Sequence, residues 1–230
     1  MAVERAPRPA ATALGLFLAL GVPLIVMPTG ILRAALAQLA PSGGVVLACL
    51  REAFFWGLTI AVLLVLRRGE GLKFSDIGWK TPRWTTLLWG FAAFLLIYLA
   101  QPLGMFLLRV VGGALPSDAI QKLMNVPLWL LALTVLRAGV CEEVLFRGYA
   151  FERLSALTGS RVLGAIVPAL VFMIGHMEAY GIKYLMFLIP VTTILTGLYV
   201  WRRDLWANIV AHFLTDAVSL TFFFLNAQRR

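Results

Sequence analysis

Ionisable side chains interrupt three apolar stretches of the sequence, and together they provide acidic, basic and hydrogen-bonding groups. The segment CEEVLFRGY, at 141–149, contains two adjacent glutamates and an arginine. His176 closes the stretch FMIGH, and His212 and Asp216 lie four residues apart in HFLTD. A carboxylate and an imidazole can deprotonate water, and a second imidazole can polarise a carbonyl oxygen. These residue types favour hydrolysis of an amide bond without a covalent intermediate.

The spacing within the first segment predicts different surroundings for its two carboxylates. In an α-helix, Glu143 and Arg147 share one face and can pair in the favourable order, acid before base. Glu142 points about 100° away from Glu143 around the axis, so we expect it to lack that arginine. Desolvation would then shift its pKa toward the range in which a carboxylate works as a general base. A purely structural ion pair would explain Glu143 and Arg147 but would leave Glu142 uncompensated.

The other two stretches show the same spacing of four residues. Asp216 can accept a hydrogen bond from the His212 ring and fix its tautomer, and Phe172 shares a helix face with His176. Both histidines of the chain fall in apolar stretches near other charges, which favours a shared site over two isolated core residues. A structural role is the simpler interpretation for four further charged residues near or within apolar stretches, namely Arg51, Glu52, Arg109 and Arg137.

Other hydrolytic chemistries have weaker support. The sequence has no G-x-S-x-G motif, and Cys141 beside Glu142 is a weak candidate for a nucleophile. The other cysteine, Cys49, lies in a separate apolar stretch, so we expect no structural disulfide. Two histidines and a glutamate could bind zinc, but H-E-x-x-H is absent, and HME at 176–178 lacks the P-C-x-x-C of a deaminase.

The elements that must position these side chains are membrane spans. Of 230 residues, 61% are hydrophobic and 13% charged, and the mean hydropathy is +0.89, outside the range of soluble proteins. The net charge of +9 comes from residues in short connections, without the basic stripe of a nucleic-acid-binding protein. We predict an all-α, polytopic transmembrane bundle of about seven spans (six to eight), at 11–32, 44–66, 85–111, 126–151, 162–178, 182–200 and 205–226.

The distribution of basic residues predicts a cytoplasmic N-terminus, because inner connections carry the excess of Lys and Arg. Eleven such residues fall on the predicted inner side: Arg5, Arg8, Arg67, Arg68, Lys73, Lys80, Arg83, Arg153, Arg161, Arg202 and Arg203. Five fall on the outer side: Arg33, Lys122, Lys183, Arg229 and Arg230. The inner connection RRGEGLKFSDIGWKTPRW mixes basic and aromatic residues, which indicates a segment at the membrane interface or a solvated loop.

Taken in order, EEVLFRG, FMIGH and HFLTD resemble the E-E-x-x-x-R, F-x-x-x-H and H-x-x-x-N/D motifs of the CaaX protease and bacteriocin-processing family, also called Abi. The resemblance covers about residues 80 to 225. It implies an intramembrane glutamic endopeptidase that uses neither cofactor nor metal and cleaves a membrane-anchored protein or peptide. Family members often have Asn where this chain has Asp216. Here the aspartate would be protonated or would act through His212.

The resemblance also implies a role for each motif residue. Glu142 would be the general base on water, assisted by His176. Arg147 would hold Glu143, which helps to shape the site, and His212 with Asp216 would face the oxyanion.

On this basis the chain divides into 1–80, N-terminal transmembrane helices with an interfacial connection, and 81–226, the protease core. We expect the protein in the lipid bilayer of a bacterial inner (plasma) membrane, without a nucleic-acid partner. Two alternatives stay open. One is a non-proteolytic membrane protein, such as a bacteriocin immunity factor, a scaffold or a transporter; the other is a zinc-dependent version of the same protease.

Overall fold

The computed structural model of the chain describes residues 9–40, 43–118, 121 and 126–227. Within these ranges all regular structure is helical, so the predicted all-α class is confirmed. Two short 3₁₀ turns, Phe74–Ile77 and Ile182–Tyr184, accompany the longer elements. Nine helices form the described part of the chain: α1 (Pro9–Thr29), α2 (Ile31–Leu39), α3 (Gly44–Gly69), α4 (Trp84–Val110), α5 (128–158), α6 (Arg161–Ile174), α7 (Met177–Tyr180), α8 (Leu185–Arg202) and α9 (Leu205–Ala227).

Each of the seven predicted spans overlaps a helix. Four helical stretches are long and apolar enough to cross a membrane: α1, α3, α4 and the stretch Ile182–Arg202, which contains α8. Helix α6 is apolar but has only 14 residues. Helix α5 differs in composition because six charged residues interrupt its apolar sequence. The protein is therefore an integral membrane bundle in which one apolar helix, α5, carries six charged residues.

Two predicted spans end earlier than expected. Helix α1 stops at Thr29 because Gly30 adopts a left-handed conformation, with φ of 68°, and α2 follows in a new direction. Helix α6 stops at Ile174 instead of continuing to 178, and His176 begins the short helix α7. His176 therefore lies in a break between helices.

Two hydrogen bonds agree with the prediction that successive connections between spans alternate between the two sides of the membrane. Arg161 Nη2 donates to Val200 O at 2.8 Å, and both residues were predicted near inner connections. Lys183 Nζ donates to Gly112 O at 3.0 Å, between two connections that were both predicted on the outer side. Five basic residues used in the orientation argument lie outside the described residues: Arg5, Arg8, Lys122, Arg229 and Arg230.

The long connection after α3 is anchored to the beginning of α9. Ile77 is fully buried in the main core, and Gly78 O accepts a hydrogen bond from Leu205 N at 2.9 Å. The ring of Trp79 packs edge-on against Trp206, with centroids 5.7 Å apart. This connection therefore forms part of the bundle while leaving Phe74 exposed at its edge.

Helix α5 lies at the centre of the bundle, and every residue from 141 to 150 is buried. Gly139 allows a close approach to α9, because a Cβ there would lie 3.2 Å from Phe213 Cβ and 3.3 Å from its backbone nitrogen. Gly148 similarly faces Ile77 O, where a Cβ would be 3.3 Å away. The first contact brings the charged middle of α5 against α9, and the second brings it against the connection that contains Ile77.

Candidate active site

The middle of α5 is a π-helix over Ala138–Ala150, and this geometry changes which residues share a face. Hydrogen bonds in a π-helix join residues five apart, and such segments are frequent at functional sites. Arg137 and Glu142 are five apart, and Arg137 Nη1 donates to Glu142 Oε1 at 2.8 Å. Glu142 is therefore bonded to Arg137 and not to Arg147, and it is not the uncompensated carboxylate that the spacing suggested. The expected pKa shift of Glu142 assumed a carboxylate without a neighbouring cation, so the argument from desolvation does not apply.

Glu143 is fully buried and accepts hydrogen bonds from two helices. Arg147 Nη1 donates to its Oε1 at 2.8 Å, which is the ion pair that the spacing predicts. His212 Nδ1 lies 2.7 Å from the same oxygen, and Asn208 Nδ2 donates to Oε2 at 3.2 Å. Asn208 Nδ2 also donates to Leu195 O at 2.7 Å, which adds α8 to the network. Glu143 thus joins α5 to α9.

The orientation of the His212 ring differs from the prediction. Its Nδ1 bonds Glu143, whereas Asp216 Oδ2 lies 3.6 Å from Nε2, beyond ordinary hydrogen-bond length. The reason is that the Nδ1 side of the ring faces α5. Asp216, four residues after His212 on α9, lies beside the Nε2 side. An ionised carboxylate only accepts, so Nδ1 carries a proton and Nε2 is the atom left for other partners. Glu142 Oε2 lies 3.9 Å from that Nε2.

His176 is oriented in the same way as His212. Its Nδ1 lies 2.8 Å from Phe172 O, and because a carbonyl only accepts, Nδ1 carries the proton, while no described residue is bonded to Nε2. The Phe172 ring centroid lies 4.8 Å from the His176 ring and 6.0 Å from the His212 ring. Arg147 Cζ lies 4.2 Å from the same centroid. Phe172 is therefore the common neighbour of the three motifs.

The structure thus brings the predicted residues into one cluster, which His176 joins through its contact with Phe172. Glu142, Glu143, Arg147 and His212 are buried, whereas His176 and Asp216 are partly exposed. Within the described contacts, His176 joins the cluster through Phe172 and not through a hydrogen bond to Glu142. The partly exposed pair marks the side on which the cluster is open, and a substrate and water would need to approach from there.

Sequence reasoning missed the partners of Glu142. Arg137 was interpreted as structural, yet it holds one oxygen of this carboxylate. Its other partner is Glu52 on α3, at 3.0 Å from Arg137 Nε. The available signal was that a charged residue inside a span is by default functional. The α-helical periodicity concealed the pairing because it places residues five apart on different faces.

A metal site would need several free ligand atoms, and the cluster offers few. Within the described ranges, no three His, Cys, Asp or Glu side chains are arranged to hold a metal ion. Arginines already occupy one oxygen of Glu142 and one of Glu143. Cys141 is fully buried, and Cys49 and Cys141 are both free thiols.

Comparisons with known proteins agree with the motifs. Residues 124–218 match the family model described as Rce1-like, "Type II CAAX prenyl endopeptidase Rce1-like". The chain is also 24% identical over 185 residues to the membrane-embedded CAAX protease MroQ of Staphylococcus aureus (strain USA300), covering 76% of this chain and 73% of that protein. No solved structure matches the chain.

The fold and the matched segment together define a membrane-embedded protease whose described residues form helices as their only regular structure. The resemblance predicted from the three motifs is confirmed, because the Rce1-like match over residues 124–218 spans all six predicted site residues. The protein is a CaaX-protease-like membrane endopeptidase, acting on a membrane-associated substrate.

Proposed function

We propose that the protein is a glutamic-type endopeptidase in which Glu142 activates the attacking water. The observation that carries this proposal is the 3.9 Å separation between Glu142 Oε2 and His212 Nε2 in a buried cluster. This distance is too long for a direct hydrogen bond and suits a single bridging water. Arg137 holds the other oxygen of Glu142, so Oε2 is the one that faces the reaction.

The proposed reaction transfers one proton twice. Glu142 takes a proton from water as the water oxygen bonds to the peptide carbonyl carbon, which gives a tetrahedral oxyanion. Glu142 then returns that proton to the leaving nitrogen as the C–N bond breaks. His176, with its proton on Nδ1, offers Nε2 as an acceptor that orients the water. The products are a carboxylic acid and an amine, and the carboxylate is regenerated.

His212 is the proposed partner of the oxyanion. Three carboxylates lie 2.7, 3.6 and 3.9 Å from its ring nitrogens, and such surroundings stabilise an imidazolium. A protonated ring would donate through Nε2 to the oxyanion, with Glu143 fixing the ring through Nδ1. An ionised Asp216 cannot contact an oxyanion favourably. We therefore assign it an indirect role through His212.

We further propose a bacterial inner membrane as the location, with the N-terminus in the cytoplasm. The excess of basic residues in the predicted inner connections supports this orientation. The division into 1–80 and 81–226 is retained as a proposal, with the second part holding the motif residues. The substrate would be a membrane-anchored protein or peptide, since a buried site among spans is reached most directly from the bilayer.

The experiment compares processed protein termini in membranes that contain wild-type protein, the Glu142→Gln variant or neither. We expect a set of new termini with the wild type only, while both proteins accumulate to equal amounts. Identical termini in all three membranes would contradict an endopeptidase and favour the scaffold or transporter. Identical termini with the wild type and Glu142→Gln would contradict Glu142 as the base.

The zinc-dependent alternative is tested on purified protein in phospholipid vesicles. The reporter is an internally quenched peptide built on the cleavage site found in the terminus comparison, here called the reporter peptide. We expect cleavage to continue after treatment with a strong zinc chelator. Loss of cleavage that added zinc restores would establish the metal-dependent alternative instead.

A further inference from the structure

A buried ion network connects Glu142 to a helix outside the matched segment. Glu52 lies on α3 and is 2% exposed. Its Oε2 accepts from Arg137 Nε at 3.0 Å, and Arg137 Nη1 in turn donates to Glu142 Oε1 at 2.8 Å. The match to the family model begins at residue 124, so it does not include Glu52. The N-terminal region therefore contributes a charge to the site.

The guanidinium of Arg137 is held in one orientation by three neighbours. Glu52 binds Nε and Glu142 binds Nη1, so the plane of the group is fixed along two directions. The Phe55 ring covers it, with Arg137 Cζ 4.9 Å from the ring centroid. Thr134 Oγ1 donates to the second oxygen of Glu52 at 2.9 Å, which fixes that carboxylate as well. Few rotamers of Arg137 are compatible with these contacts.

The network determines which oxygen of Glu142 faces His212. With Oε1 anchored to Arg137, Oε2 is directed to His212 Nε2 at 3.9 Å. Rotation of the carboxylate would break a charge-assisted hydrogen bond in a buried setting. A misplacement of about 1 Å in a reacting group can reduce the rate by about 100-fold. The position of Glu142 is therefore coupled to a residue on a different helix.

We propose that Arg137 and Glu52 are positioning residues for Glu142, with Glu52 acting only through Arg137. This inference rests on the proposed function of Glu142 as the base. A purely structural salt bridge between α3 and α5 would instead affect stability without changing the turnover of folded protein. The two possibilities differ in kcat, in KM and in the additivity of the two substitutions.

The test uses the full-length protein in phospholipid vesicles with the reporter peptide. Rates are normalised to the folded fraction, which is obtained from thermal unfolding. We expect Arg137→Gln to lower kcat by about tenfold or more, with KM changed by less than about threefold, because orientation and not substrate binding is lost. Glu52→Gln keeps the shape and should lower kcat by about three- to tenfold. Arg137→Lys, which retains the charge, should recover part of the loss.

The double variant distinguishes positioning from two separate effects. If Glu52 acts through Arg137, the Glu52→Gln/Arg137→Gln double variant should match Arg137→Gln alone within about twofold. The matched control is Glu70→Gln: Glu70 is also buried and also bonded to a threonine, with Thr12 Oγ1 2.6 Å from its Oε1, but it lies outside the network. Its kcat should equal that of the wild type.

Wild-type kcat in folded Glu52→Gln and Arg137→Gln would overturn the proposal, as would losses that multiply in the double variant. If Arg137→Gln does not fold, Glu52→Gln and Arg137→Lys decide the question in the same way. Glu142→Gln in the same vesicles tests the proposed function of Glu142 separately from the positioning roles of Arg137 and Glu52. Cleavage by that variant would contradict the proposed function itself, whereas its inactivity beside fully active Glu52 and Arg137 variants would contradict only this inference.

Discussion

Two buried carboxylates on α5, ten residues apart, have different surroundings. Glu152, with Tyr199 and Arg203, forms a group that we call the end clasp. Its Oε1 accepts from Tyr199 Oη at 3.0 Å and from Arg203 Nε at 2.8 Å, and its Oε2 accepts from Arg203 Nη2. Burial alone would lower the pKa of Arg203, but the hydrogen bonds to the Glu152 carboxylate raise it on balance, which favours the charged guanidinium. Both oxygens of Glu152 are therefore engaged by the protein.

Glu142 lies in the middle of the same helix, and the described residues bond one of its two oxygens. Its Oε1 is bonded to Arg137, while Oε2 faces His212 Nε2 beyond hydrogen-bond reach. The imidazoles of His212 and His176 are both fixed through Nδ1, which leaves both Nε2 atoms for other partners. The comparison shows how burial serves two purposes: a carboxylate with two bonded oxygens holds helices together, and one with a directed, unbonded oxygen can act on a ligand.

The largest effect is expected from Glu142→Gln. The amide retains the shape of the side chain and can still accept from Arg137, but it cannot take a proton from water. General-base catalysis contributes about 10² to 10⁴-fold, and kcat for the reporter peptide should fall within that range. The melting temperature in detergent micelles should stay within a few degrees of the wild type. If the variant loses stability in proportion to activity, Glu142 holds helices together as the end clasp does, and the role as general base is contradicted.

Glu152→Ala should show the opposite pattern. It leaves the buried Tyr199 hydroxyl and the Arg203 guanidinium without their acceptor. Loss of hydrogen bonds to a buried carboxylate costs about 1 to 3 kcal/mol of unfolding free energy, with the half-exposed arginine contributing the smaller part. Denaturant titration measures this loss, and kcat per folded molecule should remain within about twofold. A large drop in kcat at normal stability would remove the distinction between the two regions.

Phe172→Leu is expected to have an intermediate effect on both properties. The ring contacts Arg147 and both imidazoles, so its removal loosens the arrangement without deleting a reacting group. Loss of the cation–π contact and of ring volume should cost about 1 to 2 kcal/mol in unfolding free energy. We expect kcat to fall several-fold, and Phe172→Tyr, which keeps the ring, serves as the control. Unchanged kcat in the leucine variant would exclude Phe172 as a support for the imidazoles.

Cys141→Ala should have the smallest effect. The thiol is fully buried on α5, next to Glu142 in sequence. If the reaction uses water directly, kcat should stay within about twofold and the loss of packing should be small. Loss of cleavage in a variant with a normal melting temperature would instead assign the nucleophile to this cysteine.

The sequence predicts the fold class and the location of the three motifs well, because each depends on local features. Runs of apolar residues mark the helices, and charged residues within them mark the site. The breaks at Gly30 and Gly175 were missed because a glycine inside an apolar run can also continue a helix. The first error only moves a helix end, whereas the second places His176 in a break between helices.

The partners of Glu142 could not be predicted because they depend on two features beyond local periodicity. One is the π-helix, which turns Arg137 and Glu142 onto the same face and which no propensity in the sequence indicates. The other is the packing of α3 against α5, which brings Glu52 to Arg137 across 85 residues of chain. The bond between Glu143 and His212 is also a tertiary contact. The spacing of four residues along one helix could indicate only the pairing of His212 with Asp216.

The central claim is that water, activated by Glu142, attacks the peptide directly. A single turnover with excess enzyme in ¹⁸O-labelled water tests this claim, with mass spectrometry of the product and of the acid-quenched protein. We predict one ¹⁸O atom in the new carboxyl group of the product and no peptide attached to the protein. Label found in the side chain of Glu142, or a peptide adduct on Glu142 or Cys141, would contradict the account.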